Sequence, residues 1–121
     1  KGQFAAISSL NAYRGDSRWI GYSASKSALS RSFESLRGRY ADKGIVFTTI
    51  HLGAVDTGMG ANSSSPFKIS PSKAASIILS TISRKKSCKS IPIIPRILMA
   101  FFRIFTDRMF SRMMNKYRDY K

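Results

Sequence analysis

The stretch GYSASKSALSRSFESLR, residues 21–37, decides the fold prediction because its apolar side chains recur at a regular spacing. They follow one another at intervals of one, three or four residues, which is the period of an amphipathic helix. The apolar positions are Ala28, Leu29, Phe33, Leu36 and Tyr40. We therefore predict a helix over residues 21–41.

Strand-like segments lie on both sides of this helix. GQFAAISSL, residues 2–10, is a short apolar run that ends in two serines, and IVFTTIHL, residues 45–52, is rich in β-branched side chains. Both compositions are typical of buried strands. A strand, a helix and a second strand within about 50 residues form a βαβ unit, which requires a parallel sheet. The predicted fold class is therefore α/β.

A second helix follows a turn-rich segment. Residues 53–66, GAVDTGMGANSSSP, contain many turn-forming residues, and residues 70–85 return to an apolar pattern. Ser70 is a good N-cap residue, and Pro71 suits the first position of a helix. We predict a helix that begins there.

The C-terminal part of the chain carries two further predicted elements. Proline is tolerated in a sheet only at edges, so KSIPIIP, residues 89–95, is predicted to be a short edge strand. Residues 96–121 are basic and rich in Met and Phe, which indicates a long basic amphipathic helix. The predicted organisation is thus a unit over residues 1–95 followed by a helix over 96–121.

Composition limits the function classes. The 121 residues are 43% hydrophobic, which is enough to bury a core. The sequence starts with Lys1 and not with Met, so we expect a piece of a longer polypeptide. A single cysteine cannot form an internal disulfide and favours a reducing compartment, here the cytoplasm. One Cys and one His cannot make a Cys/His zinc site, so no metal is expected.

The charge of the chain points to anionic partners. The formal net charge is +15, and such a surface attracts nucleic acid, anionic lipid or a phosphorylated ligand. The sequence has no recognised nucleic-acid-binding motif and no basic residues interleaved with stacking aromatics. Nucleic acid is therefore the least favoured of the three.

Tyr22 and Lys26 form the first candidate catalytic pair. Residues i and i+4 of a helix project from the same face, so these two side chains point the same way. A free phenol is a poor proton donor or acceptor at neutral pH, and a nearby ammonium stabilises its anion. Ser9, at the end of the first strand, is the candidate hydroxyl that would hold a substrate oxygen.

These residues resemble a known family. Ser9, the Tyr22-x-x-x-Lys26 motif in its A-S-K-S-A-L context, and IHLGAVDTGM after the next strand are similar to the catalytic half of a classical short-chain dehydrogenase/reductase. Ser8 is one residue too far from the tyrosine for the family's spacing. The resemblance covers residues 2–60 best, and it implies a Rossmann-like doubly wound parallel sheet, present here as a C-terminal portion.

The resemblance also implies an activity, namely hydride transfer between NAD or NADP and an alcohol or carbonyl substrate. Tyr22 would be the general acid or base, Lys26 would contact the nicotinamide ribose, and Ser9 would bind the substrate oxygen. Gly53, Val55 and Thr57 match cofactor-binding positions of the turn after the second strand. Small-molecule substrates and a homo-oligomeric full-length form follow from the same resemblance.

Two features depart from the family pattern. Leu52 stands where the family has proline, and no glycine-rich turn that would cradle a pyrophosphate occurs in the 121 residues. The second departure fits a C-terminal half that lacks its cofactor-binding partner half. The alternative interpretation is a non-catalytic remnant of such an enzyme that binds membranes or nucleic acid through its charge.

The basic C-terminal segment has two open interpretations. Leu98, Phe101, Phe102, Phe105 and Met109 are predicted to share one helical face, with charged residues opposite. Such a helix could lie on a membrane surface with its cations outward. It could equally close over a substrate pocket or make a subunit contact. Either way, its Phe- and Met-rich face suits a hydrophobic or lipid-like substrate.

Overall fold

A three-stranded parallel sheet lies at the centre of the part of the chain that the computed structural model describes, residues 1–58 and 65–118. Its strands are β1, Gly2–Ser9; β2, Ile45–Leu52; and β3, Cys88–Ile91. The order is β1-β2-β3, so β2 has a hydrogen-bonded neighbour on each side. This central position explains why the fully buried side chains of Thr48, Thr49 and Ile50 all belong to β2.

Four helices have their bounds within the described residues. They are α1, Ile20–Arg39; α2, Pro71–Ser83; α3, Ile93–Phe102; and α4, Asp107–Arg118. Short 3-10 turns follow β1 at Leu10–Ala12 and precede β2 at Ala41–Lys43. Gly44, at φ 64°, ends the second of these turns in the left-handed conformation that favours glycine.

Helix α1 covers one face of the sheet. The ring of Phe33 packs edge-on against Phe47 at 5.6 Å between centroids, and Phe47 also stacks on Phe4 of β1 at 5.3 Å. Further along, Arg37 Nη1 donates to Thr49 Oγ1 at 3.0 Å. The helix therefore packs on the face of β2 that carries its odd-numbered side chains.

Helix α2 covers the opposite face. The side-chain amide of Gln3 donates to the Ile82 carbonyl at 2.8 Å, and lies 3.4 Å from Thr48 Oγ1. Ser70 Oγ accepts from the Lys73 amide at 3.3 Å, so the predicted N-cap with Pro71 in the first turn is confirmed. Helices on both faces of a parallel sheet make a partial Rossmann-like α/β fold, which confirms the predicted fold class.

The predicted edge strand over residues 89–95 is only partly correct. Strand β3 ends at Ile91, and helix α3 begins at Ile93 after Pro92 in the N-cap position. Proline suits the first turn of a helix because the amides there have no intrahelical acceptor. Pro92 and Pro95 therefore mark a helix start and not an edge strand.

The single helix predicted over residues 96–121 is wrong. The chain leaves the helical path after Phe102 and begins a new helix at Asp107. Thr106 Oγ1 accepts from the Met109 amide at 3.4 Å, and Asp107 adds a negative charge in the first turn. Both features favour a helix start. Residues 119–121, and 59–64 of the predicted turn over 53–66, lie outside the described residues, and the division of the chain at residue 95 stays a prediction.

The described helices are all too short or too polar to cross a bilayer. In residues 1–58 and 65–118, none combines the necessary length with the necessary hydropathy.

Candidate active site

One cavity of about 550 Å³ lies at the carboxyl ends of β1 and β2. The two strands end together, because Ser9 is paired in register with Leu52. All the residues that the sequence singled out for catalysis or cofactor binding line this cavity. They are Ser9, Tyr22, Lys26, Gly53, Val55 and Thr57. Three separate segments of the chain are thereby brought to one place.

Ser9 is the last residue of β1 and the N-cap of the following 3-10 turn. Its Oγ accepts a hydrogen bond from the Asn11 amide at 3.2 Å, and the residue is 7% exposed. A hydroxyl that accepts in this way keeps its own proton free to donate. Ser9 can therefore donate to an oxygen atom in the cavity.

Ser8, the neighbouring serine, has a different set of partners. Its Oγ lies 2.7 Å from Ser30 Oγ and 3.2 Å from the Lys26 carbonyl oxygen, both on α1. These contacts hold α1 against β1. The Ser8 hydroxyl thus ties the helix to the strand, whereas the Ser9 hydroxyl caps a turn at the cavity wall.

Tyr22 and Lys26 lie on the first turns of α1. Lys26 Nζ is 5.7 Å from the centroid of the Tyr22 ring, and it donates to the Ile7 carbonyl of β1 at 3.0 Å. An ammonium group has three N–H donors. One is used on the strand, which fixes the group beside the phenol and leaves two donors for other acceptors in the cavity.

The turn after β2 comes so close to its neighbours that a side chain at position 53 would be crowded. The Gly53 amide donates to the Ile91 carbonyl at 2.7 Å. A Cβ placed on this residue would lie 3.0 Å from Pro92 Cδ and 3.2 Å from Leu10 Cδ1. Any side chain here would push against the start of α3.

Val55 and Thr57 lie on a segment that returns to pair with the chain further on. Val55 forms a parallel bridge with Ile69, and the Thr57 amide donates to the Val55 carbonyl at 2.8 Å. Between them, the carboxylate of Asp56 pairs with the ammonium of Lys68 at 3.3 Å. These contacts hold the cofactor-binding positions that the resemblance implied at the cavity wall.

The loop before α1 supplies cavity residues that sequence reasoning missed. Asp16 accepts two side-chain hydrogen bonds from Arg18, at 2.9 and 3.1 Å. This pairing lowers the pKa of the Asp16 carboxyl, against the opposing effect of burial, and raises the pKa of Arg18. Trp19, also at the wall, ends the loop. The only feature of the sequence that could have indicated this pair is the spacing of two residues between Asp16 and Arg18.

Two apolar wall residues come from distant segments. Phe67 and Met99 line the same cavity as Tyr22. Met99 belongs to α3, so the C-terminal helices take part in this site. No local pattern could assign either residue, because their positions depend on the path of the chain.

A buried polar network lies behind the cavity, around His51 of β2. Its Nε2 is 3.2 Å from Ser30 Oγ, and its Nδ1 is 3.3 Å from the hydroxyl of Tyr13 and 3.6 Å from the thiol of Cys88. Burial lowers the pKa of His51, and the positive charge of Arg96 lowers it further. The imidazole is therefore neutral at pH 7, and its two ring nitrogens form hydrogen bonds with the neighbouring hydroxyl and thiol groups.

Arg14, in the loop before α1, contacts α4 and the segment that precedes it. Its guanidinium donates to Asp107 Oδ1 at 3.0 Å and to the Phe105 carbonyl at 3.4 Å. The guanidinium carbon also lies 4.5 Å from the centroid of the Phe110 ring, a cation–π contact. Sequence reasoning missed this residue, because its partners lie more than 90 positions away.

Comparison with known proteins identifies the family. The family model of short chain dehydrogenases matches residues 1–67, which is more than half of the 121 residues. The chain therefore belongs to the short-chain dehydrogenase family. The search of curated proteins found no match.

Solved structures show the same fold. The chain is similar to a short chain dehydrogenase from Burkholderia cenocepacia, solved in complex with NADP, with a TM-score of 0.71 and 20% identity over 93% of this chain and 46% of that one. It is also similar to the acetoin dehydrogenase YohF from Salmonella typhimurium, with a TM-score of 0.59 and 18% identity over 75% and 42%. The chain spans less than half the length of either structure.

Proposed function

We propose that this chain is the catalytic, C-terminal half of an NAD(P)-dependent oxidoreductase that interconverts an alcohol and a carbonyl. The observation that carries the proposal is the common cavity. Ser9, Tyr22 and Lys26 come from a strand end and a helix start, yet all three line one space of about 550 Å³ with the turn after β2. Family membership supports the same class of reaction.

Each residue of the catalytic set has a role that its contacts support. Ser9 Oγ accepts from the Asn11 amide and so can donate to the substrate oxygen. Tyr22 would give its proton to that oxygen, or take one from it, as general acid or base. Lys26, fixed by the Ile7 carbonyl, would stabilise the phenolate that forms when the proton leaves.

A nicotinamide dinucleotide, NAD or NADP, would supply or accept the hydride. The donors along the cavity fit the nicotinamide and ribose end of such a cofactor. Among the described residues only the Ile7 carbonyl accepts from Lys26 Nζ, which leaves two N–H donors for ribose hydroxyls, and Gly53 lets the backbone approach closely. Val55 and Thr57 continue this wall. The glycine-rich turn for the pyrophosphate would belong to the other half of the domain.

The substrate class is proposed from the cavity wall. Trp19, Phe67 and Met99 bring aromatic and thioether surface to the space that holds Tyr22. Such a wall excludes water and favours an apolar substrate body beside the polar trio. We therefore propose a hydrophobic alcohol or ketone.

The test compares two tyrosines in the natural full-length protein. Tyr22 lies in the first turn of α1, and Tyr40 is the C-cap of the same helix. Tyr22→Phe removes the proposed proton donor and should lower kcat for nicotinamide oxidation by about 10²- to 10⁴-fold. Tyr40→Phe is the control, because Tyr40 packs against Phe47 at 5.9 Å and lies outside the cavity lining. It should leave kcat unchanged.

Two results would contradict the proposal. Equal rates for Tyr22→Phe and the unmodified protein would remove the catalytic role of the phenol. Absence of any nicotinamide-dependent activity over a range of hydrophobic alcohols and ketones, with both proteins folded, would favour the non-catalytic remnant instead.

A further inference from the structure

Helix α3 presents an exposed apolar face. Its outward side chains are between 45% and 61% exposed, and the residue that follows the helix, Ile104, is 79% exposed. The set, which we call the apolar stripe, consists of Ile93, Ile94, Ile97, Leu98, Phe101 and Ile104. Six large apolar side chains on one short segment exceed what scattered surface residues explain.

The opposite side of α3 is already in use. Met99 lines the cavity, and the ring of Phe102 packs with Phe105 and Phe110 at 6.0 Å between centroids in each pair. The contacts of Arg14 with Phe110 and Asp107 hold α4 in place. The apolar stripe is therefore the side of α3 that stays exposed, and at its border the ring of Phe101 also packs edge-on against Phe105, at 5.4 Å between centroids.

Positively charged residues lie close to this face in the sequence. Residues 93–112 contain four arginines and one aspartate. The arginines are Arg96, Arg103, Arg108 and Arg112, and all four are exposed. The aspartate, Asp107, is paired with Arg14 and is therefore partly neutralised. None of the four arginines forms an ion pair with another described residue, so the segment combines an apolar face with exposed cations.

We propose that the apolar stripe docks on the surface of an anionic lipid bilayer. Apolar side chains would enter the boundary between headgroups and acyl chains, and the arginines would contact anionic headgroups. Helix α3 has 10 residues, too few to span a bilayer and enough to lie in its interface. A second copy of the chain fits less well, because two surfaces with these cations would repel.

Docking would also place the candidate active site next to the membrane. The same helix carries the apolar stripe on one side and Met99, in the cavity wall, on the other. The membrane proposal does not depend on the proposed reaction, since vesicle binding can be measured without turnover.

The experiment measures binding of the natural full-length protein to vesicles by co-sedimentation. Vesicles of phosphatidylcholine alone are compared with vesicles that also contain phosphatidylglycerol, at low and high salt. We expect binding to the anionic vesicles that weakens as salt rises. Arg103→Glu should weaken it by at least about fivefold, given the value of one cation near an anionic surface.

The decisive comparison uses two exposed apolar residues on different helices. Ile97→Asp removes one side chain of the apolar stripe and should weaken vesicle binding at least about tenfold. Leu79→Asp is the matched control, since Leu79 is 66% exposed on α2, against 61% for Ile97. It should bind as the unmodified protein does. Ile97→Ser replaces the aspartate variant if circular dichroism shows that the latter is unfolded.

Three outcomes would overturn the proposal. The first is equal binding to neutral and anionic vesicles. The second is an equal loss of binding for the variants at positions 97 and 79. The third is a changed oligomeric state or a lowered Tm for Ile97→Ser with unchanged vesicle binding, which would show that another copy or another part of the polypeptide covers the stripe.

Discussion

The segment from Gly2 to Leu52 and the two helices from Ile93 to Arg118 are held in place by different interactions. The first is organised by eight consecutive register pairs between β1 and β2, with α1 packed on one face. The second rests on a few side chains, chiefly an aromatic cluster and the contacts of Arg14. Backbone pairing specifies the first region, and individual side chains specify the second.

The family match ends between these two regions. The family model covers residues 1–67, which include β1, α1, β2 and the turn that holds Gly53. Residues 93–118 lie beyond it, and they present most of the large apolar side chains that are exposed. The part of the chain that the family model matches thus forms one wall of the cavity, and Met99, outside that match, contributes to another.

The largest effect should separate the two regions by stability. Ile50 is fully buried in the central strand, so Ile50→Ala leaves a cavity and should lower the free energy of unfolding by about 2–5 kcal/mol. Ile97→Ala, at a position 61% exposed, should change it by less than about 0.5 kcal/mol. Urea unfolding measures both. Similar losses of unfolding free energy for the two variants would mean that the apolar stripe is buried against another surface in solution.

An intermediate effect should come from the link between the regions. Arg14→Met removes the ion pair with Asp107 and the cation–π contact with Phe110, and should destabilise α4 locally by about 1 kcal/mol. Hydrogen exchange should accelerate in Asp107–Arg118 but not in β2. Arg31→Met, which breaks an exposed pair with Glu34, is the control and should leave α4 unchanged. Uniform acceleration throughout the chain would contradict a local role.

The smallest effect should be a pH dependence. Burial and the charge of Arg96 on α3 lower the pKa of His51 below 6.5 in the folded state. The unfolded chain therefore binds a proton first as pH falls, so stability should be full above pH 6.5 and decline below it. His51→Asn should remove this decline. The stabilisation from the pairing of Asp16 with Arg18 is present above the ordinary carboxyl pKa of 3.8 and is lost only as pH falls below it, so the two pH ranges differ. A slope that survives the substitution would exclude His51 as its source.

The candidate site was predictable where its residues lie at fixed local spacings. The i, i+4 relation put Tyr22 and Lys26 on one face of α1, and the strand pattern put Ser9 at the end of β1. The break between α3 and α4 was not predicted, because the helical spacing of apolar and basic residues continues across it. The prolines after β3 were misassigned, because proline suits both an edge strand and a first helical turn.

The sequence by itself determined the order of strand, helix and strand, since periodicity is a local property of neighbouring residues. Only the tertiary structure showed that the Ser8 hydroxyl binds Lys26 and Ser30 of α1, because these partners lie 18 and 22 positions away in the sequence. The tertiary structure also showed that Arg14 forms an ion pair with Asp107 and that one side of α3 is exposed. Such contacts depend on long-range packing, which the local spacing of residues in the sequence does not predict.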